Sequence, residues 1–110
     1  MQSQSATSLA EMDAAALEQE FRALAEKWRE DTMVLSVSHD IVFHPAYQRI
    51  IGMGRPALPL ILRELQNRLD HWFWALHCIS GEDPAREEDT IDGAARAWLD
   101  WGKQRGYISA

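Results

Sequence analysis

The chain has little of what secreted and membrane proteins need. It has 110 residues and one cysteine, Cys78, so no disulfide can form within it, which fits a reducing compartment. No apolar run approaches the ~18 residues of a membrane span. The first dozen residues have neither the basic nor the apolar region of a secretory signal. We therefore expect a cytoplasmic protein with no membrane partner.

Basic residues are also few. Eleven Lys and Arg stand against 17 Asp and Glu, for a net charge of −6. Nucleic-acid affinity depends on Lys and Arg neutralising phosphates, so the balance disfavours that partner, and a nucleic-acid-associated regulator is kept as an alternative. Only residues 32–79 are slightly basic, through Arg49, Arg55, Arg63 and Arg68. These arginines are solvated surface positions, or they hold a carboxylate-bearing partner.

Signatures of catalysis and of cofactor binding are missing. The Gly-Met-Gly segment 52–54 lacks the Lys and Ser or Thr of a phosphate loop and follows no strand. His71 and His77 lie six residues apart, so on a helix they cannot face one ion. Cys78 is predicted to be a small buried apolar residue rather than a nucleophile. The sequence therefore predicts no enzyme and no cofactor.

His39, Asp40 and His44 form the one cluster in the sequence that we consider as a metal site. Asp40 and His44 are four residues apart and would share a helix face. Two ligands do not complete a site, and Pro45 indicates that a helix begins here, with His44 flanking its start. We predict no metal and keep a small metal-dependent enzyme built on these residues as the lesser alternative.

Tryptophan is what the chain has in excess. It has five, and 72–74 reads Trp-Phe-Trp. Successive helical residues are about 100° apart, so these rings point around roughly 200°, more than one core-facing stripe covers. Because each ring can bury about 150–250 Å², this helix lies in the middle of the domain or contributes to an interface. We expect Phe73 and one of the two tryptophans in the core.

Hydrophobic periodicity and helix-ending residues predict an all-α fold, a compact bundle of about five short helices. The predicted helices span 13–31, 45–51, 56–68, 70–81 and 92–105. Residues 1–12, rich in Ser, Gln and Thr, are expected to form a disordered tail before a single helical domain at 13–110. Residues 32–38 are the frayed end of the first helix, a helical turn or an extended connector, because no second strand is available for pairing.

Three tryptophans are expected to meet in one core. Trp28 ends the apolar stripe of the first helix, which also contains Leu17, Phe21 and Leu24. Trp72 and Trp98 join it, together with the leucine-rich stripe at 58–65. Trp101 lies about 100° from Trp98 on the last helix, so we expect it to remain partly exposed.

Acidic residues are expected at helix starts and in one loop. Asp70 is predicted to cap the aromatic helix, and Asp89 or Asp92 the last one. Residues 82–92 carry six acids and one base. This segment is a solvated loop, or it engages a basic partner.

The segment 50–62 (IIGMGRPALPLIL), followed by 72–79, resembles a HEAT-like helical hairpin. In such units the first helix ends at a glycine, and the second starts with a small residue, proline and leucines. The resemblance covers about residues 41–84 and implies an α-α packing unit that binds proteins rather than catalysing a reaction. No second copy is present, whereas repeat proteins stack three or more. The chain as a whole also resembles small uncharacterised bacterial proteins.

These observations predict a non-catalytic protein–protein interaction module, either an adaptor or the neutralising half of a toxin–antitoxin pair. The predicted partner is another protein of unknown identity, and a homodimer is also considered. The predicted partner-binding residues are Trp72, Trp74, Trp101, Arg49 and Arg55.

Overall fold

The first helix extends well beyond its apolar stripe. The computed structural model describes residues 2–33 and 41–109, with side chains from Ala14 onward, and helix α1 covers Gln2–Thr32. The helix start predicted at residue 13 is thereby corrected, because Leu, Ala, Glu, Met and Gln in the preceding residues have high helix propensity. The disorder of residues 1–12 and the domain boundary stay predictions.

After the helical residues 41 and 42, four more helices follow within the described residues, each within three residues of its predicted bounds. They are α2 (Pro45–Gly52), α3 (Ala57–Asn67), α4 (Phe73–Ser80) and α5 (Ile91–Gln104). No strand occurs in residues 2–33 or 41–109, so the all-α class is confirmed. Thr32 closes α1, while the predictions for 34–38 lie outside the described residues.

The buried side chains form one core with two aromatic groups. In the first group, contacting ring centroids lie 4.6 to 5.8 Å apart, and its members are Phe21, Trp28, Tyr47 and Trp72. The second group consists of Trp98, Trp101 and Tyr107. Helix α3 packs against α1, α4 and α5, so its buried leucine-rich stripe connects the two groups. The predicted convergence of three tryptophans and this stripe is confirmed.

Short-range hydrogen bonds fix both ends of α5. The Thr90 hydroxyl accepts a hydrogen bond from the Gly93 N–H at 2.9 Å, so Thr90 is the cap in place of the predicted Asp89 or Asp92. After the helix, Gly106 adopts a left-handed conformation with φ of 78°. The following residues, Tyr107 and Ile108, then fold back onto the last turn, as predicted.

The HEAT-like character of residues 41–84 stays a prediction. The structure places two helices with a glycine-containing turn where the resemblance expects them, with Gly54 at a φ of 76°. Helix α2 packs on α1 and α4, and α3 packs chiefly on α5. Within the described residues, no helix combines the length and apolarity that crossing a bilayer requires.

Candidate functional site

The start of α4 is held by a side chain from another helix. Trp72 occupies the N-cap position but supplies no capping bond. Instead, the Tyr47 hydroxyl accepts a hydrogen bond from the Ala75 N–H at 2.9 Å and donates one to the His71 carbonyl at 2.8 Å. Burial raises the pKa of Tyr47, so the hydroxyl keeps the proton that it donates. Tyr47 thereby fixes how α4 enters the core.

Asp70 does not cap this helix, contrary to prediction. One of its carboxylate oxygens accepts the His71 N–H at 2.9 Å, and the other accepts the Arg29 Nε–H at 3.3 Å. Arg29 also pairs with Glu64 of α3. Asp70 therefore joins the turn before α4 to α1, and its oxygens are engaged outside the helix.

The orientation of α4 separates the two neighbouring tryptophans. Trp72 is fully buried and stacks on Tyr47 with an interplanar angle of 11°, whereas 47% of Trp74 is exposed. Phe73 is half-buried against the core. The expectation that one of the two tryptophans is core is confirmed, and Trp74 is the exposed one. Phe73, also expected in the core, is only partly buried and packs against the core from its edge. The prediction of Trp72 as a partner-binding residue is wrong, because Phe21, Trp28 and Tyr47 cover its ring.

Trp74 borders an open groove of about 380 Å³ between α4, α5 and the loop at residues 82–90 that joins them, which we call the acidic loop. The lining is largely apolar, with charged side chains contributed by the loop. The lining residues are Phe73, Trp74 and His77 of α4, Asp83, Ala85 and Arg86 of the loop, and Ala94 and Trp98 of α5. We call this surface the Trp74 groove. An exposed indole beside a concave apolar surface is the geometry of an interface anchor.

His77 supports the exposed ring. Its Nδ1 lies 2.9 Å from the Glu82 carbonyl oxygen, and a carbonyl only accepts, so Nδ1 carries the hydrogen. The imidazole is thus held in place, with its ring centroid 5.7 Å from that of Trp74. Trp74 therefore has an ordered neighbour on one side, which limits the rotamer entropy it loses on binding.

Glu82 fixes the beginning of the loop that forms the opposite wall. Besides accepting from His77, it donates its N–H to the Ser80 hydroxyl at 3.0 Å and accepts from Arg105, the residue after α5, at 2.6 Å. Gly81, with φ of 74°, makes the turn that brings these groups together and ends α4 as predicted. The groove therefore has two anchored walls and is formed without a partner.

Trp101 is buried, contrary to the prediction that it remains exposed. Only 6% of it is accessible. Tyr107 stacks on one side of the indole, with centroids 5.5 Å apart, and the Arg105 guanidinium lies 5.4 Å from the ring centroid. The cover comes from the chain after Gly106, which folds back over the helix. Trp101 is not available for partner binding.

Arg49 and Arg55 are both exposed, but neither lines the Trp74 groove. Arg49 pairs with Glu20 of α1 at 2.9 Å. Arg55 donates to the Tyr107 hydroxyl at 3.4 Å. The structure therefore distributes the predicted binding residues over separate surfaces, and of the five only Trp74 borders the groove.

Sequence reasoning missed most of the lining. Ala94 and Trp98 lie on the inner face of α5, and Ile91 precedes them at helical spacing and is 56% exposed. The spacing of Ile91, Ala94 and Trp98 could have indicated the groove from the sequence. Ile91 extends the apolar stripe of α5 past the part that the core covers. No sequence pattern near Ala85 predicts that it lines the groove, because the hydrogen bonds of Glu82 bring it there.

The structure gives His44 a structural role. Its Nδ1 accepts the Ala46 N–H at 3.0 Å, capping α2, so Nε2 carries the hydrogen and donates to Asp31 at 2.8 Å. This confirms that His44 flanks a helix start. His39 and Asp40 lie outside the described residues. Within residues 14–33 and 41–109, no cluster of three or more His, Cys, Asp or Glu forms a metal-binding group.

Cys78 is exposed, so its predicted burial is wrong. It lies about 200° around α4 from the buried Leu76, which turns it away from the core. Desolvation by neighbouring protein atoms raises the pKa of the thiol. A raised pKa leaves less thiolate, which disfavours nucleophilic chemistry.

Comparison with known proteins gives no relative for this chain. No protein-family model, curated protein or solved structure matches it.

Proposed function

We propose that this chain is a non-catalytic protein-interaction module, an adaptor or the neutralising half of a toxin–antitoxin pair, that holds its partner in the Trp74 groove. The observation that carries the proposal is the exposure of Trp74. The other four tryptophans are buried, with at most 6% of each accessible, whereas 47% of Trp74 faces solvent beside an apolar groove. Tryptophan is among the residues that most often dominate binding energy at interfaces.

The exposed part of Trp74 is large enough to matter energetically. Half of an indole side chain presents about 100 Å², and covering it at about 25 cal/mol per Å² stabilises a complex by about 2.5 kcal/mol. The side chains of Phe73, Ala85 and Ala94 add apolar surface in the same groove. A partner that fills the groove therefore gains most from contact with Trp74.

The experiment compares three tagged proteins, namely wild type, Trp74→Ala and Met33→Ala, in affinity capture from cells of the source organism. The captured partner is then purified and its Kd measured by calorimetry. Trp74→Ala should weaken binding by about 30-fold or more. Met33 is 79% exposed and does not line the groove, so its truncation controls for loss of any exposed apolar side chain. Equal affinity of wild type and Trp74→Ala would contradict the proposal.

Nucleic-acid binding is the alternative function, and salt-dependent binding distinguishes it. In a helix-turn-helix interpretation α3 would be the recognition helix, yet it buries Ala57, Leu58, Leu60 and Ile61 in the core. We expect no DNA or RNA binding in filter assays at 50 mM salt. Binding that falls steeply between about 50 and 200 mM salt would favour the alternative.

A further inference from the structure

We propose that the segment held in the Trp74 groove is basic: a short amphipathic stretch of the partner with an apolar side chain against Trp74 and Lys or Arg side chains against the acidic loop. This inference rests on the proposed protein-binding function and adds the chemistry of the partner. The supporting observation is that the charged side chains of the acidic loop lie beside the groove.

The acidic loop has carboxylates that the fold does not use. Glu82 is engaged by Arg105, and the Glu88 carboxylate lies over Gly93 at the start of α5, where the helix dipole favours negative charge. By contrast, Asp83, Glu87 and Asp89 form no ion pair with any side chain in the described part of the chain. These three carboxylates are open to a partner.

Asp83 connects this charge to the groove because it lines the same surface as Trp74. A Lys or Arg side chain lays its aliphatic stem on apolar surface and keeps its charged head at a polar edge. The groove therefore offers a contact to both parts of an amphipathic segment: Trp74 and the apolar floor receive its apolar side chain, and the Asp83 carboxylate at the rim receives its Lys or Arg.

Arg86, the one base of the loop, also lines the groove. It forms no ion pair with any acid in the described residues. Asp83 and Arg86 are the two oppositely charged loop residues of the lining, whereas Glu87 and Asp89 lie outside it. The negative charge near the groove therefore comes from the loop as a whole, which has six acids against this one base over residues 82–92. Exposed charges of this kind contribute to partner selection and association rate, and their effect on affinity is largest at low salt, where they are least screened.

The same charges argue against a second copy of this chain as the occupant. In a two-fold dimer built on this face, the groove of each subunit meets the groove of the other. Both acidic loops would then lie at one interface, between subunits that each carry a net charge of −6. Juxtaposed like charges oppose that pairing.

The test uses three synthetic peptides of equal length, free of tryptophan, with leucines at the same helical spacing and with Lys, Gln or Glu at all remaining positions. Binding is followed by calorimetry and by the tryptophan emission of the protein, which comes from five indoles and should respond to binding mainly through the exposed Trp74. Full-length wild type should bind the Lys peptide at least about tenfold more tightly than the Gln peptide at low salt. The Glu peptide should bind most weakly.

Two variants with equal charge changes separate a local effect from net charge. Asp83→Asn, Glu87→Gln and Asp89→Asn are combined in one variant, and Glu26→Gln, Glu30→Gln and Asp100→Asn in the other. The second set lies on exposed positions that do not line the groove. The loop variant should lose the preference for Lys over Gln while keeping its affinity for the Gln peptide, and the control variant should keep both.

Equal binding of the Lys and Gln peptides by wild type would overturn the inference, as would an unchanged preference in the loop variant. Dimerisation that requires Trp74, detected by sedimentation velocity, would also overturn it in favour of a second copy. The proposed function is judged separately by capture of the native partner with Trp74→Ala. A partner that depends on Trp74 but tolerates the loop variant would retain the function and reject the basic segment.

Discussion

The hydroxyl of Tyr47 lies 2.9 Å from the backbone nitrogen of Ala75 and caps a helix that has no cap of its own. The two residues are 28 positions apart, so the start of α4 is defined by tertiary structure. Because Trp74 is in the first turn of that helix, the bond also determines which tryptophan faces solvent.

Tyr47→Phe should therefore destabilise the protein by about 1–3 kcal/mol, because it leaves a buried N–H and the His71 carbonyl without their partner. Urea unfolding should show a lower midpoint at an unchanged m-value. Tyr107→Phe is the matched control, since within the described part of the chain its hydroxyl accepts one long hydrogen bond, from Arg55 at 3.4 Å, and it should stay within about 0.5 kcal/mol of wild type. An equal loss of unfolding free energy in the two variants would show that the hydrogen bond from Ala75 to Tyr47 does not stabilise the fold.

Arg29→Met tests the network that joins α1 to α3 and to the turn before α4. Arg29 pairs with Glu64 and Asp70, and all three side chains are at most 27% exposed. Removing the guanidinium leaves two partly buried carboxylates unpaired, which should cost about 1–3 kcal/mol in thermal or urea unfolding.

Arg22→Met is the control for this network. Arg22 pairs with Glu18 one helical turn away, and its side chain is 71% exposed. Such pairs contribute at most about 0.5 kcal/mol. An Arg29 variant no less stable than the Arg22 variant would mean that the buried network adds nothing.

The helices and the core were largely predictable because their signals are local. Pro45 begins α2, Gly81 ends α4, and the stripe from Leu17 to Trp28 marks the buried side of α1. The burial of Trp101 was not predictable from periodicity. Its cover comes from Tyr107 and Arg105, beyond the helix that carries it.

The candidate site was predictable only in part. The residues 72–74 indicated that one tryptophan is exposed, but the choice between the two depends on Tyr47. Glu82 brings the loop against α4 through three hydrogen bonds, all to side chains outside the loop, namely His77, Ser80 and Arg105. No local pattern encodes bonds of this kind.

Asp31→Asn should change how stability depends on pH. Hydrogen bonds from His44, and then from Lys27, lower the pKa of Asp31 below its ordinary value of 3.8. A carboxyl with a lowered pKa in the folded state stabilises the fold fully above its unfolded pKa, and this contribution is lost as pH falls through the folded value. Asp31→Asn should therefore be less stable than wild type at pH 6, and the difference should shrink below about pH 4.

Glu30→Gln controls for loss of a negative charge on the same exposed helix, because Glu30 has no ion pair within the described residues. Thermal unfolding of the three proteins from pH 3 to 7 gives the comparison. A constant gap between wild type and Asp31→Asn over that range would contradict the assigned pKa shift.

Gly102→Ala should destabilise the protein although alanine favours helix. An added Cβ would lie 2.7 Å from Leu62 Cδ1 and 3.3 Å from Ile108 Cγ1, at the contact of α5 with α3. Overpacking costs about 1–3 kcal/mol and improved helix propensity returns up to about 1, so we expect a net loss of about 1 kcal/mol. Gly52→Ala is the matched substitution, because nothing lies within 4 Å of its Cβ position, and it should be neutral or slightly stabilising. If the two variants unfold at the same urea concentration, the close packing of α5 on Leu62 does not require glycine at position 102.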